Sequence, residues 1–450
     1  MRLDLTPLAA LTARRSRLAA AFGSDALFFA GASRPRNYPA ATYPFRASSH
    51  FLYFAGVALE HAVLRIRGGE TTLYAPAPDP SDALWHGPRP SFAEMSERLG
   101  CPVRPLEALS GAQAATIVGV DGRTRTQQAA VLQRDPATPT DADRALVDAV
   151  IGLRLVHDEA AIAGLRHAAE ATSEAHRAGM AASAPGMLEA GVRAAMEGAL
   201  MSRGMGTAYG SIVTVHGEVL HNETHHNRLA DGDLLLADVG AETAGGWAGD
   251  VTRTWPVSPR FSATQRAMYE VVLCAQRAAI EAVKPGVRYR DVHVAAARAL
   301  SEGLVGLEVL RGDVDELVAD GVHALFFPHG VGHLIGLDVH DMEDLGDRAG
   351  YGPGRTRSAQ FGLGFLRLDR DLAPGMAVTI EPGFYQIDGI LSDPSFTKVA
   401  GDRLNRAVLA RFGDVRGIRI EDDVLVTSDG HEVLTDAPKS VDEVEAAVAA

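Results

Sequence analysis

Short apolar runs alternate with amphipathic stretches along the chain, and this pattern predicts the order of its secondary-structure elements. Leu8, Leu11, Leu18 and Phe22 have the spacing of an amphipathic first helix. Between residues 25 and 120, apolar runs bounded by turn residues predict short strands. These runs are DALFFAG, HFLYFAGV, EHAVLRIRG and TTLYAPA.

Helical and strand-like patterns follow one another in the longer C-terminal part. Segments with few helix-breaking residues predict helices over 145–182, 187–203, 263–283 and 290–305. Strand-like runs punctuated by glycine lie around them: YGSIVTVHGEVLHN, GDLLLADVGAETAGGWAGDVTRTWPV, GMAVTIEPGFYQI and IRIEDDVLVT. Mainly antiparallel strands with flanking helices predict an α+β fold.

Length and local composition divide the chain. A chain of 450 residues is expected to form more than one domain. The segment RDPATPTDADR, 134–144, is rich in proline, aspartate and threonine, which is typical of a boundary. We therefore predict a smaller N-terminal domain, 1–145, and a C-terminal domain, 146–450. Residues 343–366 predict a long irregular insertion, and loops of that length are more often functional than decorative.

Composition narrows the class of protein. Hydrophobic residues make up 46% and charged residues 22%, and the net charge of −14 argues against nucleic acid or an anionic membrane as main partner. No run of ~18 apolar residues predicts a membrane span, and Asp4 with the nearby arginines argues against a signal peptide. Cys101 and Cys274 are too few for a disulfide framework, so we expect both to be buried and the compartment to be reducing and cytoplasmic.

Three histidines stand in one apolar run, FFPHGVGHLIGLDVHD, at 326–341. A single buried histidine is commonly satisfied by a backbone carbonyl, but three beside glycines that permit close approach favour a site. His329 and His333 are four residues apart, so a helical turn would put both on one face. Gly330 follows His329 where the HExxH zinc motif requires glutamate, so any further metal ligands must lie elsewhere.

Carboxylates in or beside apolar strands are the candidates for those ligands. They are Asp238 in LLLADVG, Asp250 in GWAGDVTRTW, Glu381 in VTIEPG and Glu421 in IRIEDDVLV. A carboxylate in an apolar strand costs free energy unless it is paired, protonated or bound to a metal. Arg253 and Arg419 could each pair with one of them, but four such acids beside a histidine cluster favour a metal site.

Four carboxylates and a histidine form a hard, oxygen-rich ligand set. With two carboxylates bridging, such a set suits two divalent ions about 4 Å apart. Oxygen ligands favour Mn²⁺, with Co²⁺, Zn²⁺ and Fe²⁺ as alternatives. Water held between two such ions loses a proton near neutral pH and becomes a nucleophile.

These residues resemble the metal ligands of the pita-bread metallopeptidases, the superfamily of methionine aminopeptidase, aminopeptidase P, prolidase and the metal-free creatinases. Five segments resemble its Xaa-Pro-cleaving branch, and the resemblance covers most of residues 150–445. The segments are DVGAE, GDVTRTWPV, PHGVGHLIGLDVHD, TIEPGFY and GIRIEDD. YPFRASSHFLYFAG and LWHGPR resemble the N-terminal domain of aminopeptidase P. The resemblance implies a pita-bread catalytic domain and a smaller α/β, creatinase-like N-terminal domain that oligomerises and walls the substrate pocket.

The resemblance also implies which ligand does what. Asp238 would hold one ion, and His333 would hold the other together with Glu381. Asp250 and Glu421 would bridge the two ions. Glu381 would in addition move the proton of the bridging water. Asp238 and Asp250 are one residue further apart than is usual in the family, which a longer hairpin turn would absorb.

Further residues would contact the substrate or act in catalysis, by the same resemblance. They are His221, His329, His340, Arg367, Arg419 and Trp85. The three histidines would hold the substrate and stabilise the tetrahedral intermediate. Trp85 of a neighbouring subunit would wall the pocket. Asn222 follows His221 where the family often has tyrosine, which changes the pocket rather than the catalysis.

The resemblance leaves the substrate length open. The N-terminal domain is similar to that of aminopeptidase P, whereas the insertion and Arg367 are more similar to prolidase, where an arginine so placed grips the dipeptide carboxylate. Alternatively, Arg367 pairs with Asp369 or another surface acid. We predict an Xaa-Pro aminopeptidase, with an Xaa-Pro dipeptidase as alternative, acting on proline-containing peptides as a homodimer or homotetramer. A metal-free binding relative is a third class, against which the filled ligand positions argue.

Overall fold

The computed structural model describes residues 3, 5–78, 82–110 and 113–450, and the chain divides into two compact units, Met1–Ala160 and Ala161–Ala450. The predicted boundary after residue 145 lies inside a helix, Asp141–Arg154, that belongs to the first unit. The polar residues just before this helix form its N-terminal cap. The Thr140 side chain accepts from the Asp143 backbone and the Asp143 side chain accepts from the Thr140 backbone, which is a capping box.

The first unit is a mixed sheet with helices. Its helices are α1 (Leu8–Ala21), α2 (Ser49–Ala55), α3 (Asp82–His86), α4 (Phe92–Leu99), α5 (Gly122–Leu132) and α6 (Asp141–Arg154). Its strands are β1 (Ala26–Phe29), β2 (Val63–Arg67), β3 (Glu70–Ala75), β4 (Val103–Pro105) and β5 (Ala115–Thr116). In the order β4-β3-β2-β1-β5, the two edge pairs are parallel and the inner pairs antiparallel. The predicted α/β class of this part is confirmed.

One predicted strand of this unit is a helix. The run HFLYFAGV forms α2, which ends at Gly56 in the left-handed region (φ +67°). Every residue of α2 is buried, including Phe51 and Phe54. Without a polar face the helical period is invisible, so a buried helix and a buried strand look alike in sequence. The other three runs form β1, β2 and β3 as predicted.

The second unit combines long helices with antiparallel strands. Its helices are α7 (Glu159–Ala182), α8 (Glu189–Ser202), α9 (Ala263–Ala282), α10 (Tyr289–Gly306), α11 (Val314–Ala319), α12 (Asp347–Gly350), α13 (Asp388–Leu391), α14 (Pro394–Thr397), α15 (Arg406–Leu409) and α16 (Val441–Val448). Its strands are β6 (Gly206–Thr207), β7 (Ile212–Thr214), β8 (Leu234–Asp238), β9 (Ala241–Glu242), β10 (Thr252–Pro256), β11 (Ala377–Ile380), β12 (Gly383–Tyr385), β13 (Gly417–Arg419), β14 (Asp422–Val426) and β15 (His431–Val433). The pairs β7–β8–β10, β11–β14–β15, β12–β13 and β6–β9 are all antiparallel. This confirms the predicted α+β class.

Two local predictions need correction. The helix predicted over 145–182 is two helices, α6 and α7, with 155–158 between them. Asp158 in that gap forms an ion pair with Arg14, at 2.7 Å, a tertiary contact that no local pattern reveals. Both cysteines are free, but Cys274 is exposed rather than buried, whereas Cys101 is buried as predicted.

No helix within the described part of the chain is long and apolar enough to span a bilayer.

A buried ion pair supports the strands at the centre of the second unit. Arg253 of β10 and Asp422 of β14 lie 2.7 Å apart, and both side chains are 0% exposed. Arg253 also donates to the carbonyls of Ala437 and Pro438, and Asp422 accepts from Thr435. A buried pair of this kind tolerates loss of a partner poorly because the remaining charge is uncompensated.

Arg253→Met should therefore lower the free energy of unfolding by about 3–5 kcal/mol, measured by urea denaturation. Arg266→Met is the matched control, because Arg266 is half exposed and lies 3.5 Å from Glu445; its loss should cost about 1 kcal/mol or less. Equal losses in the two variants would contradict the structural role of the buried pair.

Candidate metal centre and substrate site

Asp238 and Asp250 are brought together by the β8–β10 hairpin. Asp238 ends β8 and pairs in register with Thr252 of β10, and Asp250 lies two residues before the start of that strand. The connecting turn packs tightly, since a Cβ on Gly240 would lie 1.9 Å from the Gly249 carbonyl oxygen. The extra residue in this turn therefore does not separate the two carboxylates.

Glu381 and Glu421 face each other across a second ladder. Ile380 pairs with Asp422 on one side, and Gly383 pairs with Arg419 on the other, in one continuous register. That register sets Glu381 opposite Glu421. Pro382 follows Glu381, and because proline has no N–H to donate, regular pairing is interrupted there.

Three successive acids of β14 and its lead-in have different partners because side chains alternate along a strand. Glu421 accepts from the Thr252 hydroxyl at 2.7 Å, and Asp423 accepts from the Asp250 backbone N–H at 3.0 Å. Asp422, between them, points to Arg253. Only Glu421 of the three thus joins the candidate ligands.

His333 is held by the edge of β11 rather than by a helix. The segment 328–341 is irregular, so the expectation that a helical turn aligns His329 and His333 is wrong. The His333 backbone N–H donates to the Thr379 hydroxyl and its carbonyl accepts from the Thr379 N–H. Gly332 permits this approach, because a Cβ there would lie 2.2 Å from the Thr379 carbonyl oxygen.

The orientation of the His333 ring leaves one nitrogen for a ligand. Nδ1–H donates to the Leu334 carbonyl at 2.9 Å, so the neutral ring has its lone pair on Nε2. Nε2 lies 3.4 Å from Asp250 Oδ2 and 3.9 Å from Glu381 Oε1. Asp250, His333 and Glu421 offer ligand atoms within 4.8 Å of one another, and all three are buried. Two carboxylates and an oriented imidazole fit a divalent ion.

The clustered carboxylates are ionised only at a cost in free energy unless positive charge lies nearby. Burial raises the pKa of Glu421, and Asp250, Glu381 and Asp238 raise it further. Burial likewise raises the pKa of Asp250, and it raises the pKa of Glu381 to about 7. Carboxylates this close cannot all ionise without compensating cations.

Arg419 lies against the metal centre. It donates from Nη2 to Asp238 Oδ2 at 2.6 Å, from Nε to the Thr252 hydroxyl at 2.9 Å and from Nη1 to the Tyr385 hydroxyl at 3.1 Å. Its guanidinium is buried. These contacts agree with the alternative that Arg419 pairs with a strand carboxylate, and its contact with substrate stays a prediction.

Tyr209 is a member of the site that sequence reasoning missed. Its hydroxyl lies 2.5 Å from Asp238 Oδ1 and 2.6 Å from Asp250 Oδ1. Because it has a single proton, it donates to one carboxylate at a time and holds the pair at close range. A tyrosine before a short strand carries no sequence signal of this role, since its partners lie beyond the next strand.

His329 and His340 are oriented differently. His329 Nδ1–H donates to the Gly330 carbonyl at 2.8 Å, and Nε2 lies 2.9 Å from the Tyr385 hydroxyl, so both nitrogens are engaged within the protein. Burial and Arg419 lower the pKa of His329 to about 3. His340 accepts at Nδ1 from Arg367 at 3.2 Å, which places its proton on Nε2. The His340 ring packs edge-on against His333, with centroids 4.4 Å apart.

His221 lies on an exposed loop whose two ends are tied together. Buried Glu189, in the first turn of α8, accepts from the Val215 N–H at 2.8 Å and from the Asn227 N–H at 3.1 Å. Burial lowers the pKa of both His329 and His340, Arg419 lowers that of His329 further and His333 that of His340, and His221 makes a smaller contribution to each. His221 therefore lies near both rings, and its contact with substrate stays a prediction.

Arg367 forms an ion pair with Glu343. Its Nη1 lies 2.7 Å from Glu343 Oε2, whereas Asp369 pairs with Arg288 at 2.6 Å. Arg367 and Glu343 line one pocket together with His333, one of the candidate metal ligands. The alternative that Arg367 pairs with a surface acid agrees with the structure, with Glu343 in place of Asp369.

Trp85 belongs to the first unit and lies on α3, where it is 77% exposed. Its predicted position in the pocket of a neighbouring subunit stays a prediction.

The chain matches two known protein families in sequence. Metallopeptidase family M24 matches residues 163–428, and the N-terminal domain of aminopeptidase P matches residues 11–121. The Xaa-Pro dipeptidase of Homo sapiens is 33% identical over 424 residues, which cover 90% of this chain and 84% of that protein. A probable Xaa-Pro aminopeptidase of Fusarium vanettenii is 32% identical over 414 residues, which cover 90% and 88%.

Solved structures of other proteins resemble this chain over almost its whole length. The aminopeptidase PepP of Pseudomonas aeruginosa has a TM-score of 0.79 at 31% identity, covering 98% of both chains. Zn-substituted aminopeptidase P of E. coli in complex with product has a TM-score of 0.80 at 30% identity, also covering 98% of both chains.

Tyr209→Phe should weaken metal binding by about 10–100-fold, because Asp238 and Asp250 lose the hydroxyl that holds them together. Isothermal titration of the metal-free protein with Mn²⁺ measures the affinity. Tyr269→Phe is the control, because the Tyr269 hydroxyl donates only to a backbone carbonyl, of Lys439, among the contacts described. An unchanged affinity for Tyr209→Phe would assign that hydroxyl a purely structural role.

Proposed function

This chain belongs to metallopeptidase family M24, among the Xaa-Pro aminopeptidases and dipeptidases, and from that premise we propose that it is an Xaa-Pro aminopeptidase. It removes the N-terminal residue that precedes proline from peptides longer than a dipeptide. The observation that carries this proposal is the convergence of Asp250, His333 and Glu421 within 4.8 Å, with Asp238 and Glu381 adjoining them.

These five side chains would hold two divalent ions, for which the oxygen-rich donor set favours Mn²⁺. Bound ions supply Lewis acidity and a water of lowered pKa at neutral pH. Asp238 shares the Tyr209 hydroxyl with Asp250, and Glu381 lies 3.9 Å from His333, so both carboxylates adjoin the three converging residues. Arg419 and Tyr209 orient Asp238 by two separate contacts.

Glu381 is the residue that moves the proton. Its carboxylate lies 3.9 Å from both His329 and His333, beside the other candidate ligands, where it can accept a proton and return it. The leaving nitrogen of an Xaa-Pro bond carries no hydrogen, so it must receive a proton as the C–N bond breaks. Glu381 takes the proton from the attacking water and returns it to that nitrogen.

Two histidines stabilise the developing negative charge. His340 directs its Nε2–H away from Arg367, and this donor is available to the oxyanion of the tetrahedral intermediate. His221, on the loop held by Glu189, is the second substrate-side donor. His329 does not donate to the intermediate directly, because its ring nitrogens are engaged by Gly330 and Tyr385.

The preference for peptides over dipeptides rests on Arg367. A dipeptidase needs a cation free to grip the proline carboxylate. In this chain the Arg367 guanidinium is engaged by Glu343 at 2.7 Å. An incoming carboxylate would have to displace that partner, whereas the amide continuation of a longer peptide would not.

The oligomer follows from the same proposal. We expect a homodimer or homotetramer in which Trp85 of the partner subunit walls the pocket, and a cytoplasmic location. Leu84 and Trp85 are adjacent and both largely exposed, and such an exposed apolar pair supports a role at an interface.

A paired assay tests the substrate class. The Mn²⁺-loaded protein should hydrolyse Ala-Pro-Ala with a kcat/KM at least about 10-fold above that for Ala-Pro, since tenfold corresponds to one displaced charge-assisted contact. Ala-Ala-Ala is the control for proline specificity. A dipeptide preference would make it an Xaa-Pro dipeptidase. Cleavage of neither proline substrate, with two metals bound, would contradict the assignment.

Glu381→Ala should lower kcat by at least about 10²–10⁴-fold, because the proton carrier is lost. Metal content is measured on the same sample by mass spectrometry. Glu302→Ala is the control, since Glu302 forms an exposed pair with Arg298. Wild-type turnover in Glu381→Ala with intact metal content would remove Glu381 from the mechanism.

A further inference from the structure

Glu343 opens the long insertion, directly after the histidine run. It begins a short 3₁₀ turn, Glu343–Leu345, and the preceding residue, Met342, is buried with φ +59°. A non-glycine residue in the left-handed region is strained, because its Cβ crowds the following carbonyl. The chain bears this strain where it directs Glu343 toward Arg367.

The Glu343 carboxylate lies beside Arg367 and His340. Its Oε2 is 2.7 Å from Arg367 Nη1 and 3.8 Å from His340 Nδ1. The His340 ring packs on His333, a candidate metal ligand. Arg367 is therefore one imidazole away from the centre, where the C-terminal part of a bound peptide would lie.

We propose that Glu343 is a specificity-determining residue that acts through Arg367 and excludes dipeptides by taking the place of their C-terminal carboxylate. The inference rests on the proposed function and deepens it. Glu343 neutralises the guanidinium, and it repels a second carboxylate approaching the same atom.

A second arginine of the pocket is also neutralised by a carboxylate of the protein. Arg357 also lines it, and its Nη2 lies 2.8 Å from Asp347 Oδ1. Each of these two guanidinium groups in the described pocket thus has an internal carboxylate. A pocket with its cations neutralised suits the uncharged backbone of a longer peptide.

Glu343→Gln tests this proposal in the Mn²⁺-loaded protein, with Ala-Pro, its C-terminal amide Ala-Pro-NH₂, and Ala-Pro-Ala as substrates. We expect the ratio of kcat/KM for Ala-Pro over Ala-Pro-NH₂ to rise about 3–10-fold, through a lower KM for the dipeptide and an unchanged kcat. Arg367→Ala in the Glu343→Gln background should remove this gain, because the freed guanidinium is its cause.

Controls separate folding from specificity. Glu302→Gln removes the charge of a similar exposed pair with Arg298 in the same unit and should leave the ratio unchanged. Thermal denaturation and metal content show that each variant is folded and loaded, and Glu343→Ala provides a second variant. Equal gains for the dipeptide and its amide, a fall in KM that survives Arg367→Ala, or no change in the ratio would each overturn the proposal.

The proposed function has its own outcome in this experiment. If the wild-type protein cleaves none of the three substrates, the Xaa-Pro assignment is wrong irrespective of Glu343. If wild type cleaves Ala-Pro-Ala and Glu343→Gln leaves the ratio unchanged, only the role of Glu343 is wrong.

Discussion

The mutual repulsion of buried carboxylates is the constraint on which the second unit depends. Asp250 and Glu421 are buried and Glu381 is partly buried beside them, and burial together with their neighbours raises the pKa of each. A fold keeps such a cluster only if cations compensate for it. The donor set, with His333 turned toward the acids, is suited to divalent ions. This need for compensating cations agrees with membership of metallopeptidase family M24.

Arginine side chains around the cluster neutralise further buried carboxylates. Arg253 neutralises Asp422 on the opposite face of β14, and Arg419 pairs with Asp238 at the edge of the centre. The Tyr209 hydroxyl contacts two carboxylates at once. Adjacent acids thereby take separate roles because successive strand residues face opposite sides. This division keeps the ligands rigid, as a catalytic centre needs.

The substrate side is built from loops that packing orients. The His333 and His340 rings have their protons placed by Leu334 and by Arg367, so each presents a defined nitrogen. Glu343 completes this side by pairing with Arg367. The ion pair between Arg367 and Glu343 is the observation on which our proposal of a preference for longer peptides over dipeptides rests.

The sequence by itself determined the fold class, most of the helices and strands, and the candidate ligands. Acids in apolar strands and histidines in an apolar run are costly, so their presence is informative without coordinates. Only the tertiary structure decided that HFLYFAGV is a helix, that His333 lies on an irregular segment, and that Tyr209 and Glu343 belong to the site. A fully buried helix has no polar face to show its period. The partners of Tyr209 and Glu343 lie about 25 to 40 residues away along the chain, and such pairs are set by packing, which no local pattern records.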